Sequence, residues 1–227
     1  MEVLSNIPIN LEPERVLKLM RIRNQNKHIE SMVEELVEIA QPVARPKAVY
    51  TVSYIDDKDG DTVTIDGVRF ASRVLRKNLE KIERVFPYVA TCGTELEGIA
   101  IPPDDFARTF CLDAIKTTVL GMAVTYLRDY LTKYYALGNI SHMNPGSLDS
   151  WPVSQQRELF SLFGNVEELV RVRLTESCMM FPLKSVSGIY FPTETRFESC
   201  QLCPREKCTG RRAPYDAELA KKYREDI

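Results

Sequence analysis

Three cysteines share one nine-residue segment, at positions Cys200, Cys203 and Cys208. A Cys-x2-Cys turn lets two thiolates face one metal, because its backbone amides fold around the first sulfur, and the four-residue gap to Cys208 still permits a third ligand. Proline directly after a cysteine, here Pro204, also occurs in iron–sulfur loops. The spacing therefore predicts an iron–sulfur cluster or a zinc ion at these cysteines. The neighbouring cations would stabilise the thiolates, and they are Arg205, Lys207, Arg211 and Arg212.

Other interpretations of the cysteine segment stay open. A complete site normally needs a fourth ligand, which Cys92, Cys111 or Cys178 would supply, and the spacing does not choose among them. Without a metal, the segment holds reduced thiols or a redox-active dithiol at Cys200 and Cys203, although no thioredoxin-like βαβ pattern surrounds that pair. The sequence contains only two histidines, which excludes a multi-histidine metal site.

The composition is that of an ordinary globular protein. The chain has 227 residues, of which 44% are hydrophobic and 27% charged, and its formal net charge of -2 lacks the basic surplus of a general nucleic-acid binder. The most apolar stretch, Phe110 to Leu127, contains Asp113 and Lys116, and the first twenty residues lack the layout of a secretory signal. We therefore expect a cytoplasmic protein that binds neither nucleic acid nor a membrane. Its oligomeric state is open.

Hydrophobic periodicity predicts an α+β fold, in which helices pack on an antiparallel twisted sheet. Helical spacing covers the first forty residues, a long stretch from about residue 105 to Gly138, residues 155–163 and a short stretch from Asp216. β-branched and aromatic residues predict strands over residues 49–70, with turns at Asp59-Gly60 and Asp66-Gly67, and over 85–91, 170–175 and 186–191. Residues 139–153 are expected to form an irregular loop.

We expect three regions that pack as one compact domain. They are an N-terminal helical region over residues 1–46, an α+β core over 47–197 and a cysteine-rich C-terminal extension over 198–227.

The most distinctive motifs lie between Arg173 and Phe191, where Leu-Thr-Glu-Ser is followed by Met-x-Pro, Ser-Val-Ser-Gly and Tyr-Phe. Upstream stand Asn144-Pro145-Gly146, Trp151-Pro152 and a Gln-Arg-Glu-Leu-Phe helix, and further upstream Ile65-Asp66-Gly67, Ser72 and Thr-Cys-Gly-Thr-Glu-Leu-Glu from Thr91. In this order the motifs resemble the activation (reactivation) domain of cobalamin-dependent methionine synthase. The resemblance runs from about residue 60 to 195.

The resemblance implies a function. Domains of that family bind S-adenosylmethionine and dock over a corrinoid-carrying domain, which allows oxidised cob(II)alamin to be reduced and remethylated to methylcobalamin. It implies a stand-alone activation protein for a corrinoid-dependent methyltransferase, either methionine synthase or an anaerobic demethylase. No Asp-x-His-x-x-Gly corrinoid loop occurs, so the cobalamin would be carried by a partner protein. The cysteine segment would then relay an electron. The alternative is a non-catalytic module that binds a corrinoid protein or a nucleotide-like ligand, with a structural zinc.

The resemblance also implies site residues. Pro145 and Gly146 would line the ligand loop, Tyr190 would contact the ligand, and the turn Ser185-Val186-Ser187-Gly188 would face ligand and corrinoid. Glu176 lies in the matched Leu-Thr-Glu-Ser segment, either at the site or as a cap for backbone amides. The family has an arginine where this chain has His142, and a histidine cannot reproduce a bidentate guanidinium clamp on a carboxylate. The candidate set is His142, Pro145, Gly146, Glu176, Ser185, Ser187, Gly188 and Tyr190.

Overall fold

The computed structural model describes residues 1–21, 26–195, 197–208 and 210–225. The elements follow one another as β1 (Glu2–Leu4), α1 (Pro13–Met20), α2 (Lys27–Val43), β2 (Lys47–Tyr50), β3 (Ser53–Asp59), β4 (Thr62–Ile65), β5 (Val68–Ala71), α3 (Arg73–Asn78), β6 (Arg84–Thr91), α4 (Phe106–Tyr134), β7 (Ile140–Met143), α5 (Gln156–Ser161), α6 (Val166–Val170), β8 (Arg173–Leu174), β9 (Met180–Phe181), β10 (Ser185–Pro192) and α7 (Ala217–Glu225). Short 3-10 turns cover Glu95–Gly98, Val153–Gln155 and Ser199–Leu202.

Strand β6 is the centre of an antiparallel sheet. One edge of β6 pairs with β2, where Val89 lies opposite Val49, and then with β3. The other edge pairs with β10, where Tyr88 lies opposite Gly188. β7 pairs with the outer edge of β10, β1 with that of β2, and β4 and β5 continue from β3. The α+β fold with an antiparallel sheet is therefore confirmed.

Alternation along the strands sends side chains into cores on both faces of the sheet. On one face Phe86 and Tyr88 pack with Tyr190 against Ala123 and Leu127 of α4. The opposite face carries Val49 and Val89, which are covered by three apolar side chains of the α5–α6 region, Phe163, Val166 and Val170. The long helix thus lies across the face that presents Tyr190.

Helix α4 has the length and apolar composition of a membrane-spanning helix, the one such helix in the described ranges. Half of its most apolar window is buried inside the protein. Its inner side packs against α1 and α2 through Cys111, Ile115 and Val119, all fully buried. The burial of α4 is that of a core helix.

Local signals locate several boundaries correctly. Asp105 caps α4, since its Oδ1 accepts a hydrogen bond from the backbone N–H of Arg108 at 2.9 Å. Ser72 caps α3 in the same way, with its Oγ 3.1 Å from the amide nitrogen of Leu75. The turns at Asp66 and Gly67 adopt positive φ values of 47° and 77°, as a tight hairpin requires.

Four expectations about the elements are wrong. Residues 2–4 are a strand rather than a helix, because they pair with β2. The loop predicted over residues 139–153 contains β7, because residues 140–143 find hydrogen-bond partners on β10. The long helix ends at Tyr134 rather than at Gly138, and Ala136 then takes a positive φ of 50°. In addition, Val170 ends a helix, so the strand predicted from residue 170 is reduced to Arg173–Leu174.

The predicted division into regions at residues 46/47 and 197/198 stays a prediction. Residues 22–25, 196, 209 and 226–227 fall within those regions and lie outside the described residues. The C-terminal segment shares a core with the rest of the chain, since Leu202 and Ala220 pack in the same cluster as Val63, Phe70 and Trp151.

Candidate functional site

A cavity of about 760 Å³ opens between α4 and the β7–β10 part of the sheet. Helix α4 contributes Gly121, which leaves room for an occupant beside the helix backbone because it has no side chain. The remaining walls come from strands β6, β7, β9 and β10, the loop after β7, the start of α5 and two residues of the C-terminal segment, Glu198 and Arg212. Five of the predicted site residues line this cavity together, namely His142, Pro145, Gly146, Ser187 and Tyr190.

Three predicted site residues lie outside the cavity lining. Ser185 Oγ donates to the carbonyl oxygen of Pro182 at 2.7 Å and lies 2.9 Å from Thr91 Oγ1. Glu176 is exposed, and its backbone carbonyl accepts a hydrogen bond from the guanidinium of Arg157. Gly188 lies in β10 between its two neighbouring strands, β6 and β7. Their roles in binding stay predictions.

The loop from Asn144 to Trp151 is held in a fixed path. Gly146 has a φ of 80°, and its N–H donates to the carbonyl of Trp151 at 2.7 Å. A Cβ at Gly146 would lie 3.1 Å from the Cβ of Val153, so this position favours glycine for its conformation and for space. Trp151 is fully buried, and its indole N–H donates to Gln155 Oε1 at 3.1 Å. The loop therefore presents Pro145 and Gly146 to the cavity on a packed base.

Polar groups in one wall of the cavity bond to one another. Asn144 Nδ2 donates to the hydroxyl of Tyr88 at 2.9 Å and to the carbonyl of Ser187 at 2.5 Å. Ser187 Oγ donates in turn to Gln156 Oε1 at 2.9 Å. No sequence signal distinguishes Tyr88 or Gln156, because each is an ordinary strand or helix residue in its own neighbourhood.

The tyrosines of the cavity are neutral at physiological pH. Burial raises the pKa of Tyr88 to about 12 and also raises the pKa of Tyr190. Their rings stack with centroids 4.5 Å apart, and the ring of His142 lies 5.3 Å from that of Tyr190. Both tyrosines are almost fully buried, so they form part of the cavity wall and do not act as general bases.

Charged groups gather at the end of the cavity beside His142. Arg212 Nη1 lies 2.9 Å from His142 Nε2, and Arg212 Nε lies 3.4 Å from Glu198 Oε2. A second arginine of the lining, Arg128, pairs with Asp129 at 2.8 Å. The sequence predicts Arg212 beside the thiolates, whereas its guanidinium lies at the cavity. No local pattern could show this, since the two contacting residues are 70 positions apart.

The three clustered cysteines do not form a metal site in the described part of the chain, which contains no group of three or more His, Cys, Asp or Glu residues placed to hold a metal ion. All three are half-buried free thiols, and the possible fourth ligands Cys92 and Cys111 are buried. Cys200 Sγ instead accepts a hydrogen bond from the backbone N–H of Arg212 at 3.4 Å. The predicted iron–sulfur cluster or zinc at Cys200, Cys203 and Cys208 therefore has no support from the geometry.

A known structure shares the fold of this chain. The fold is that of a reactivation domain: a crystal structure of the MetH reactivation domain bound to AdoHcy is similar to this chain with a TM-score of 0.62 and 14% sequence identity, over 88% of this chain and 81% of that chain. No curated protein sequence matches the chain.

A family model matches part of the chain. The model described as vitamin B12 dependent methionine synthase, activation domain, matches residues 147–208. That range runs from the loop beside the cavity, through β10, to the last clustered cysteine. This match and the fold both support the family predicted from the sequence, the activation domains of cobalamin-dependent methionine synthase.

Proposed function

We propose that the chain is a stand-alone activation protein for a corrinoid-dependent methyltransferase and that its cavity binds S-adenosylmethionine. The cobalamin would be held by a partner, either a corrinoid-binding protein or the methyltransferase itself. A one-electron carrier protein would reduce that corrinoid. S-adenosylmethionine would then give its methyl group to cobalt and leave as S-adenosylhomocysteine. The proposed compartment is the cytoplasm, as the composition predicts.

The observation that supports the proposal best is the convergence of five motif residues on one cavity. These residues are separated along the sequence, yet β7, the following loop and β10 bring them together in one place. A volume of about 760 Å³ lies within the range of small-molecule sites. The similar MetH reactivation domain is bound to AdoHcy, which is the demethylated form of the proposed ligand.

The residues of the cavity suit the two halves of such a ligand. The aromatic surface of Tyr190 and the backbone of Pro145 and Gly146 would hold the nucleoside, because stacking and close backbone approach are how flat, hydrogen-bonding rings are bound. The charged group beside His142 would face the amino-acid end. No residue of the chain needs to act as an acid or base, since methyl transfer from a sulfonium moves no proton.

The first experiment is a calorimetric titration of the full chain with S-adenosylhomocysteine. Gly121→Leu tests the location, because an added Cβ at Gly121 has no atom within 4 Å and the longer side chain would extend into the cavity. Gly138→Leu is the matched control, since Gly138 is exposed and its Cβ position is equally open. We expect binding by the unchanged chain and by the control, and at least a tenfold loss in the cavity variant. Equal affinity in all three would show that the ligand binds elsewhere.

The second experiment measures transfer. The cobalamin domain of methionine synthase, loaded with cob(II)alamin, would be incubated with titanium(III) citrate and S-adenosylmethionine carrying a labelled methyl group, with and without this chain. Label in methylcobalamin that depends on the chain supports the proposed activation. Binding without any transfer would favour the non-catalytic module, and no binding of S-adenosylhomocysteine at all would refute both versions of the ligand assignment.

A further inference from the structure

The charged end of the cavity is built largely from the C-terminal segment. Glu198 and Arg212 flank the clustered cysteines in the sequence, and both line the cavity. Arg212 lies four positions beyond the range that the family model matches, 147–208. The segment therefore adds charged groups to a cavity whose other walls come from α4, β7 and β10.

Arg212 and Glu198 place opposite charges side by side. The Arg212 Nε lies 3.4 Å from the Glu198 carboxylate. Glu198 is only 8% exposed, whereas the side chain of Arg212 is 49% exposed. The guanidinium cannot accept a hydrogen bond, so at its 2.9 Å contact His142 Nε2 is the acceptor and carries no proton. The cavity end therefore holds one positive and one negative group, oriented by a neutral imidazole.

From this arrangement we infer that Arg212 and Glu198 bind the zwitterionic amino-acid end of the ligand, the carboxylate at Arg212 and the ammonium at Glu198. Adjacent opposite charges complement a zwitterion, whereas a phosphate would be repelled by the carboxylate of Glu198. Arg128 is less suited to the carboxylate, because its guanidinium contacts Asp129 through Nε at 2.9 Å and Nη2 at 2.8 Å. The inference rests on the proposed function, which supplies a ligand with an amino-acid end.

The cysteine segment has a role in this site that requires no metal. The Arg212 backbone N–H donates to Cys200 Sγ at 3.4 Å, which fixes the start of the arginine side chain. The neighbouring Arg211 guanidinium donates to the carbonyls of Cys200, Cys203 and Ala213, each at 3.2 Å, and to that of Arg205. The Glu198 side chain accepts from the backbone N–H of Gln201. The segment is thus a frame that positions Arg212 and Glu198.

The test compares ligands with and without the amino-acid end. The full chain and its variants Arg212→Met, Arg212→Lys, Glu198→Gln and Arg128→Met would be titrated with S-adenosylhomocysteine and with 5′-methylthioadenosine, which keeps the nucleoside and thioether. Arg212→Met should weaken S-adenosylhomocysteine by about tenfold to a hundredfold, as expected for a hydrogen-bonded charge, and change methylthioadenosine less than about twofold. Arg212→Lys should recover part of the loss, because charge returns without the planar fork.

Two further ligands distinguish the role of Arg212 from that of Glu198. An analogue of S-adenosylhomocysteine without the carboxylate should be insensitive to Arg212→Met, and one without the amino group should be insensitive to Glu198→Gln. Arg128→Met is the control for the removal of an arginine from the cavity lining. It should leave the affinity for each ligand within about threefold of that of the unsubstituted chain.

Each outcome decides a separate point. If the unchanged chain binds neither S-adenosylhomocysteine nor methylthioadenosine, the proposed function fails and the inference fails with it. If it binds both and Arg212→Met leaves S-adenosylhomocysteine unaffected, the inference is wrong while the proposed function stands. If Arg212→Met weakens both ligands equally, Arg212 supports the fold of the cavity rather than the carboxylate, and the assignment is again overturned.

Discussion

Replacing Gly188 by alanine tests how closely the cavity wall is packed. Gly188 lies in β10, with Tyr88 of β6 directly opposite and β7 on the other side. A Cβ at this position would lie 2.5 Å from the Met143 carbonyl oxygen and 3.0 Å from Tyr88 Cε1. It would also overlap the side-chain nitrogen of Asn144, Nδ2. Two of these three atoms belong to groups that cannot move freely, a strand carbonyl and a stacked ring. Gly188 is therefore required for close packing rather than for its φ angle.

The expected cost combines two effects. Overpacking a tight core site costs about 1–3 kcal/mol. Displacing Asn144 would also break its hydrogen bonds to Tyr88 and Ser187, each worth about 1 kcal/mol. Alanine offsets part of this, by up to about 1 kcal/mol, because glycine loses more backbone entropy in a strand. We expect a net loss of about 3 kcal/mol in the free energy of unfolding.

Urea unfolding monitored by circular dichroism measures this loss. With an m-value of about 3 kcal/mol per M, the midpoint should fall by about 1 M and the m-value should stay unchanged. Gly98→Ala is the matched control, since its Cβ would have no neighbour within 4 Å, and its midpoint should stay the same or rise slightly. A Gly188→Ala midpoint within about 0.2 M of the unchanged chain would refute the packing argument.

Three other predictions follow from the contacts. The hydroxyls of Tyr130 and Tyr50 donate hydrogen bonds to the Glu2 carboxylate at 2.6 and 2.5 Å, and these bonds lower the pKa of Glu2. The Glu2 carboxylate therefore stabilises the fold at pH values above the ordinary pKa of glutamate. This stabilisation is lost as the pH falls through the lowered pKa of Glu2. Glu2→Gln should therefore cost about 1 kcal/mol near pH 7 and less near pH 3 in urea titrations, and an equal cost at both would contradict this. Arg211→Ala should speed amide hydrogen exchange across the cysteine segment at least tenfold, because the Arg211 guanidinium donates hydrogen bonds to several backbone carbonyls of that segment. The control variant Arg205→Ala should leave the exchange rates unchanged. Equal exchange rates in the two variants would contradict this role of Arg211. A thiol reagent should modify three of the six cysteines quickly in the native protein, and mass mapping should find them at Cys200, Cys203 and Cys208; fast labelling of the buried thiols would be the contrary result.

The parts of the fold that local chemistry determines could be predicted from the sequence. Caps at Ser72 and Asp105, hairpin turns such as Asp66-Gly67 and the buried strand β6 depend on residues within a few positions of one another. Alternation in β10 likewise separates Tyr190 from its neighbours Ile189 and Phe191, which pack in a different core. These features need no knowledge of the partner strand.

The features that were missed depend on contacts between distant segments. Strand β7 exists because β10, more than forty positions away, supplies its hydrogen bonds, and its own residues lie next to a stretch rich in Gly, Pro and Asn. Strand β1 likewise depends on β2. Gly188 belongs to a matched motif, which predicts that it faces the ligand, and its surroundings add a packing requirement that no motif records.

The position of Arg212 in the cavity shows that the absence of one motif residue does not by itself indicate the loss of a function. The sequence has histidine where the family has arginine, and a comparison of that loop alone would count the clamp as missing. In the fold, however, Arg212 brings a guanidinium to within 2.9 Å of His142. The two positions cannot be exchanged independently, because an arginine at 142 would set two guanidinium groups in contact, and their repulsion would displace Arg212 from Glu198. The position of Arg212, which comes from the C-terminal segment, therefore requires a neutral side chain such as the His142 imidazole at position 142.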